Sequence, residues 1–212
     1  MKCPLCQARA EGRITTPPPD VKTYRHCGFC DLIFLEGPYP ARDEEHRRYL
    51  EHENTPDNTG YVRMLESFLK QAVLPYINEG SALDFGSGPG PVLADLMADI
   101  GFDVAIYDPF FAPCPDVMSQ QYHLITATEV MEHVFYPGHV IAELNHCLLS
   151  SGILALMTHF HPGVAEFINW WYHRDPTHVM FYSLRTMNWI ACHFDLTMLK
   201  TDKQKIITFR KN

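Results

Sequence analysis

Apolar segments with helical and strand-like spacing alternate along the chain from residue 61 onward. The first helix is indicated by apolar residues at helical spacing: Tyr61, Leu65, Phe68, Ala72 and Tyr76. Strands are predicted at 81–85, 103–107, 122–127 and 152–160, and helices at 91–100, 138–149, 163–172 and after Ser183. Strands that alternate with helices predict a parallel, doubly wound α/β sheet. The segment 195–211 predicts a terminal antiparallel hairpin.

The first sixty residues follow a different pattern. They contain two C-x2-C pairs separated by 20 residues: Cys3, Cys6, Cys27 and Cys30. Two such turns can place four thiolates around one tetrahedral Zn2+ ion. We therefore predict a zinc ribbon over residues 1–38, with a redox pair or unrelated cysteines as the alternative. Residues 39–60 are dense in charge and predict a linker that starts as a helix, and residues 61–212 form the main domain.

The segment ALDFGSGPGP at 82–91 joins a predicted strand to a predicted helix. Its three glycines allow the backbone to approach a ligand, as the first strand-to-helix turn does in doubly wound folds. Their spacing departs from the G-x-G-x-x-G of dinucleotide-binding proteins, because the third glycine comes one residue early. Asp84 precedes the first glycine, where an acid repels a pyrophosphate but suits an ammonium group. Asp108 ends the next predicted strand, where a carboxylate can accept both ribose hydroxyls. A ligand with an amino-acid end and a ribose end is S-adenosylmethionine.

Three segments resemble the class I S-adenosylmethionine-dependent methyltransferases. LDFGSGPG resembles the first motif of that family, AIYD at 105–108 the second, and TATEVMEHV the segment that packs against the adenine and methionine parts. The resemblance covers roughly residues 60–212 and implies a Rossmann-like, seven-stranded, mostly parallel sheet that ends in the antiparallel hairpin. It implies cofactor contacts from Asp84, Gly86, Ser87, Gly88, Gly90, Asp108, Thr128 and Glu129. Only a short segment containing FAPCPDVMSQQ separates Asp108 from the strand at 122–127, so we expect the third strand to be short or irregular.

The methyl acceptor is harder to predict. Methyl transfer from a sulfonium is an in-line displacement in which positioning does most of the work, and a base is needed only where the acceptor loses a proton. The candidates follow the strands at 122–127 and 152–160: Glu129, Glu132, His133, His159 and His161. We predict that the segment 170–182 closes over the methyl end of the cofactor, with His178, His133 and Tyr172 as catalytic residues. The alternative is a packing helix that buries Trp171, followed by a turn in which Asp175 caps a neighbour. The histidines and glutamates near this rim are also an alternative site for a second metal, although the sequence contains no H-x3-H or similar ligand pair to support it.

Composition and charge narrow the class of acceptor. The 212 residues are 46% hydrophobic and carry a formal charge of −8, which argues against a protein held to nucleic acid by its overall field. No apolar run of 18 residues and no secretory signal is visible, and seven cysteines without a signal favour a reducing, cytoplasmic setting. A small-molecule acceptor is therefore favoured. An RNA or protein acceptor docked by basic residues of the ribbon, and a non-catalytic S-adenosylmethionine-binding module, are the alternatives. The oligomeric state is not indicated.

Overall fold

The computed structural model describes residues 1–51 and 53–212 and contains two β-sheets. The larger sheet is formed by β4 (Gly80–Phe85), β5 (Phe102–Tyr107), β6 (Tyr122–Thr128), β7 (Leu148–Met157), β9 (Leu196–Thr201) and β10 (Ile206–Lys211). The smaller sheet is formed by β1 (Gly12–Thr15), β2 (Thr23–His26), β3 (Ile33–Leu35) and β8 (Met180–Phe181).

The larger sheet has the strand order β5-β4-β6-β7-β10-β9. The four strands from β5 to β7 are parallel, and β10 runs antiparallel between β7 and β9. These pairings confirm the predicted α/β fold with a mostly parallel sheet and a terminal antiparallel hairpin.

The predicted count of seven strands is wrong for the part of the chain that the structure describes, where the larger sheet has six. The segment after β5 forms an isolated bridge between Asp108 and Ala112 and then a 3-10 helix at Pro115–Ser119. This segment contains Pro109, Pro113 and Pro115. Proline has no backbone N–H to donate to a ladder, so a regular strand is disfavoured here.

Helices cover both faces of the larger sheet. Helix α1 (Arg42–Leu50) precedes the helices on these faces, which are α2 (Thr59–Phe68), α3 (Val92–Ile100), α4 (Pro137–Cys147) and α5 (Leu184–His193); a π-helical turn at Leu69–Val73 extends α2. Ala82 and Leu124 of the sheet pack with α2 and α3 on one face. Their neighbours Leu83 and Ile125 point the other way and pack with α4 and α5, as the two-residue period of strands requires. No helix among the described residues has the length and apolar character needed to cross a bilayer.

The predicted helix at 163–172 is also wrong. The segment instead contains two 3-10 turns, Phe167–Asn169 and Trp171–Arg174, separated by the extended backbone of Trp170. Phe167 packs edge-on against Tyr24 and Phe181, with ring centroids 5.0 Å away in both cases. These aromatic contacts with the smaller sheet take precedence over the helical spacing of the local sequence.

The smaller sheet joins the N-terminal segment to the rest of the chain. Its β1, β2 and β3 form an antiparallel meander, and β8 pairs antiparallel with β3 through Ile33–Phe181 and Phe34–Met180. The N-terminal strands and the α4–α5 face of the larger sheet belong to one continuous hydrophobic core. The domain boundaries at residues 38 and 61 stay predictions.

Candidate active site

A cavity of about 1170 Å3 lies at the carboxyl end of the parallel strands. Its walls come from the segments that follow β4, β5 and β6, from His159 after β7, and from α1. This is the edge at which open α/β sheets bind their ligands.

The loop after β4 has a different role for each glycine. Gly86 has a positive φ of 79°, and a Cβ there would lie 2.3 Å from Cγ2 of Val130. At Gly90 a Cβ would lie 2.1 Å from the Asn54 carbonyl oxygen, so this glycine allows two chain segments to approach, and it does not line the cavity. Gly88, with φ of 66°, lines the cavity beside Ser87, whose buried hydroxyl has no hydrogen-bond partner among the described residues. Gly86, Ser87, Gly88 and Pro89 therefore form the part of the loop that lines the cavity.

Asp84 lies behind this loop and does not line the cavity. Its Oδ1 accepts a hydrogen bond of 3.0 Å from the Thr126 hydroxyl, and only 3% of its surface is exposed. Burial raises the pKa of Asp84 to about 7. The carboxyl is thus poised to ionise when a cation approaches.

Asp108 lines the cavity and holds two loops together. Its Oδ2 accepts from the Gly88 amide at 3.0 Å, and its Oδ1 accepts from the amides of Phe110 at 2.8 Å and Phe111 at 3.1 Å. Carboxylate oxygens have more than one acceptor direction each. The predicted contact with ribose hydroxyls is therefore compatible with this second, structural role.

Thr128 and Glu129, at the end of β6, also line the cavity. Glu129 has a positive φ of 53°, and its amide donates to the Met157 carbonyl at 2.8 Å. This turn directs the chain from β6 into a short 3-10 helix, Met131–His133.

Glu132, which is buried, and Glu129, which is half-buried, meet one tyrosine in the wall of the cavity. The Tyr172 hydroxyl lies 3.0 Å from Oε2 of Glu129 and makes a short hydrogen bond with Oε1 of Glu132. Burial and the charge of Glu132 raise the pKa of Glu129 to about 8, burial also raises the pKa of Glu132, and burial raises that of Tyr172 well above 10. Tyr172 therefore stays protonated and acts as a donor to the two carboxyl groups.

The predicted histidines lie beside this group. His133 Nδ1 is 3.0 Å from the Thr177 carbonyl, and His178 Nδ1 is 2.7 Å from the Tyr172 carbonyl. A carbonyl oxygen only accepts, so both Nδ1 atoms carry the proton and Nε2 is the basic atom of each neutral ring. The ring centroids of His133 and His178 are 4.8 Å apart, and those of His178 and Tyr172 are 4.2 Å apart.

The structure thus brings His178, His133 and Tyr172 together in the cavity wall. His159 lines the cavity as well, whereas Nε2 of His161 bonds to the Asp31 carbonyl in the N-terminal segment. The alternative packing interpretation is wrong for Trp171, which is 57% exposed. Asp175 bonds the amide and hydroxyl of Thr177, within its own loop.

Sequence reasoning did not place helix α1 at the cavity, which this helix lines. Arg42 donates to the Pro109 carbonyl at 2.9 Å, and its guanidinium lies 4.9 Å from the centre of the Phe110 ring. Arg48 forms a two-nitrogen ion pair with Oδ2 of Asp175, at 2.8 and 3.0 Å. Although burial opposes it, bonding to Thr177 and Arg48 holds the pKa of Asp175 below its ordinary value. The only signal was the helix start recognised in a segment predicted to be a linker.

The four N-terminal cysteines form a separate cluster. Their sulfurs lie within 4.8 Å of one another, with Cys3–Cys30 at 3.6 Å and Cys6–Cys27 at 3.5 Å. Four sulfurs bound to zinc at about 2.3 Å lie roughly 3.8 Å apart in a tetrahedron. The two turns have the same form, because Gln7 and Asp31 each follow the second cysteine with positive φ and donate to the carbonyl of the first. The donor set and its spacing fit zinc.

Comparisons with known proteins agree with this architecture. A family model described as "Methyltransferase domain" matches residues 44–201. A 1,6-didemethyltoxoflavin-N1-methyltransferase from Burkholderia thailandensis, solved with its acceptor and S-adenosylhomocysteine, superposes with a TM-score of 0.51 at 11% identity, over 93% of this chain and 99% of that one. The magnesium protoporphyrin IX methyltransferase of Synechocystis PCC 6803, solved with S-adenosylhomocysteine, gives 0.53 at 14% identity, over 83% and 90%. The YcgJ protein of Bacillus subtilis gives 0.50 at 15% identity, over 71% and 98%.

At these identities the solved structures show a shared fold alone. A search of curated proteins finds no match to the chain. The family model, in contrast, covers most of the sequence. The chain therefore belongs to the methyltransferase domain family, which confirms the predicted S-adenosylmethionine-dependent methyltransferase.

Proposed function

We propose that the protein transfers a methyl group from S-adenosylmethionine to a small organic acceptor bound in the same cavity. The observation that carries this proposal is the continuity of the cavity from Ser87 and Gly88 at the glycine loop to Tyr172 and His178. Its volume of about 1170 Å3 exceeds the roughly 300–1,000 Å3 of a pocket for one drug-sized ligand. A cofactor and a small acceptor therefore fit side by side.

In this proposal, different residues contact different parts of the cofactor. Ser87 and Gly88 lie beside the amino-acid end, with Asp84 behind the loop as the nearby acid. Asp108 accepts the ribose hydroxyls, and Thr128 and Glu129 line the wall beyond β6. In this arrangement the methyl group points toward Tyr172 and His178, which line the same cavity, with the Tyr172 hydroxyl 3.0 Å from Oε2 of Glu129.

The reaction itself is a displacement. The acceptor atom forms a bond to the methyl carbon, the carbon–sulfur bond breaks with its electron pair staying on sulfur, and S-adenosylhomocysteine leaves. The protein aligns the two reactants and keeps water out, which supplies most of the acceleration in such a reaction. Where the acceptor loses a proton, the basic Nε2 atoms of His178 and His133 are the groups positioned to assist.

The test separates cofactor binding from turnover. His178→Gln should leave affinity for S-adenosylhomocysteine within about twofold in calorimetry, while methyl transfer from labelled cofactor to a metabolite pool falls at least tenfold. His123→Gln is the matched control, because His123 is an exposed histidine on β6 that bonds Ser81. Equal turnover in the two variants would contradict the assignment of His178.

A macromolecular acceptor is less well supported. Its docking surface was expected from basic residues of the N-terminal segment, but most of these have an acidic partner. The ion pairs are Arg9–Glu11, Arg13–Glu36, Arg25–Glu36 and Lys22–Asp20. A face whose cations are paired locally attracts phosphates weakly. Transfer of label to an RNA pool in preference to metabolites would favour this alternative, and cofactor binding without any transfer would favour the non-catalytic module.

We also propose that Cys3, Cys6, Cys27 and Cys30 hold one structural Zn2+ ion. All four positions of a tetrahedron are then filled by protein sulfurs, so the ion has no open position for chemistry. Its effect is to fix the turn that precedes β1 and the turn that joins β2 to β3.

A further inference from the structure

A second group of metal-ligating side chains lies in the wall of the cavity. Donor atoms of Glu132, His133 and His178 all lie within 4.8 Å of one another. Glu132 and His133 belong to the 3-10 helix after β6, and His178 comes from the loop before β8. We propose that these three residues bind a divalent first-row transition-metal ion, separate from the zinc ion of the cysteine cluster.

The hydrogen bonds of the two histidines prepare them for this role. Each donates its Nδ1 proton to a backbone carbonyl, of Thr177 for His133 and of Tyr172 for His178. Metal-binding histidines have this arrangement, because the bond fixes the ring and places the lone pair on the other nitrogen. The Nε2 atoms are then the ligand atoms.

The carboxylate supplies an independent indication. Glu132 is fully buried, and its Oε2 atom has no hydrogen-bond partner among the described residues. Its Oε1 atom receives the Tyr172 hydroxyl, which orients the carboxyl group. In the described part of the chain, no lysine or arginine forms an ion pair with Glu132. Buried carboxylates are normally paired with a cation or bound to a metal, so a metal ion accounts for this group.

Two histidines and one carboxylate also define the class of ion. This donor set suits zinc and the neighbouring transition ions, whereas magnesium and calcium prefer oxygen alone. Donors at about 2.0–2.2 Å from such an ion lie roughly 3.4 Å apart, within the 4.8 Å that encloses donor atoms of the three residues. Three protein ligands leave at least one open position toward the cavity.

The open position indicates the kind of acceptor, and this step rests on the proposed function. An oxygen atom of the acceptor, from a phenol or an enol, would coordinate the ion, which favours loss of its proton to solvent. The oxygen then uses its electron pair to form the bond to the methyl carbon, and the sulfur keeps the pair of the broken bond. Oxygen is therefore the methylated atom in this proposal.

Cobalt(II) is the probe for the test. Protein purified with one equivalent of zinc is titrated with Co2+, and bound cobalt is measured by equilibrium dialysis and by visible absorption. Wild type should bind one Co2+ per chain and show weak d–d bands. Intense thiolate bands should be absent, because they would mean that Co2+ had replaced zinc in the cysteine cluster. Glu132→Gln and His178→Gln should each weaken binding at least tenfold. His159→Gln, a histidine in the same cavity wall outside the trio, should bind as wild type.

The proposal is overturned if wild type binds no Co2+ beyond the cysteine cluster, or if both ligand variants bind it unchanged. Circular dichroism verifies that each variant folds, and His133→Gln replaces a variant that does not. S-adenosylhomocysteine affinity is measured on the same samples. Cofactor binding without bound Co2+ refutes the metal site alone, whereas bound Co2+ without cofactor binding or methyl transfer refutes the proposed function alone.

Discussion

Replacing Asp108 tests whether one carboxylate holds two loops together as well as binding the cofactor. It accepts three backbone amide bonds, one at Oδ2 from Gly88 and two at Oδ1 from Phe110 and Phe111. A hydrogen bond to a charged group contributes about 1.5–3 kcal/mol. Asp108→Ala removes all three, and since cavity water replaces part of the loss, we expect the free energy of unfolding to fall by about 3–6 kcal/mol.

Asp108→Asn should remove only one of these three hydrogen bonds. Its amide oxygen can keep the two bonds made by Oδ1, but its NH2 group then faces the donor of Gly88. One bond and the charge are lost, so the free energy of unfolding should fall by about 1.5–3 kcal/mol, or roughly half the effect of alanine. Affinity for S-adenosylhomocysteine should also fall by about 10- to 150-fold if the carboxylate accepts ribose hydroxyls.

The assays are urea unfolding and calorimetry on both variants, with Asp103→Asn as the control. Asp103 is an exposed aspartate of the same strand and should change neither quantity. Equal destabilisation by alanine and asparagine, or a loss below about 1 kcal/mol for alanine, would refute the three-bond account. Unchanged cofactor affinity would refute only the ribose contact.

Three further predictions concern separate features. Cys6→Ser should release zinc and lower the melting temperature, as measured by metal analysis and thermal scanning, whereas exposed Cys192→Ser should do neither. Arg48→Met removes the ion pair with Asp175 that holds α1 over the cavity; stability should fall by less than about 1 kcal/mol, while S-adenosylhomocysteine dissociates faster in stopped-flow experiments. An unchanged dissociation rate would show that α1 does not limit release. Asp84 has its pKa raised to about 7 in the folded state, against about 3.9 unfolded. Its protonated form therefore favours folding below pH 4, and this contribution is lost as the pH rises toward 7. Asp84→Asn should gain stability over wild type by on the order of 1 kcal/mol per pH unit across that range, and parallel unfolding curves would contradict this.

Local sequence signals predicted the features that depend on local chain geometry. The glycine loop and the two cysteine pairs were recognisable because short spacings determine how the backbone turns there. The segment 170–182 was placed beside the cofactor cleft by its position after a strand, and the structure brings His178 to that wall.

Features that depend on distant contacts were missed. The charges of 41–51 favour a solvated helix, and only the folded chain shows Arg48 reaching Asp175. The trio of Glu132, His133 and His178 has no sequence signature, since its third member comes from another loop. The helix expected at 163–172 fails because Phe167 packs against the N-terminal sheet.

The pairing of β3 with β8 has a consequence for biosynthesis. β3 is buried along its whole length, and its outer partner lies at residues 180–181. As the chain emerges from the ribosome, β2 can pair with β1 and β3 at once, but the other edge of β3 stays open until most of the protein has been made. An exposed apolar edge is a template for pairing between chains. Nascent or C-terminally shortened chains should therefore need chaperones at this edge.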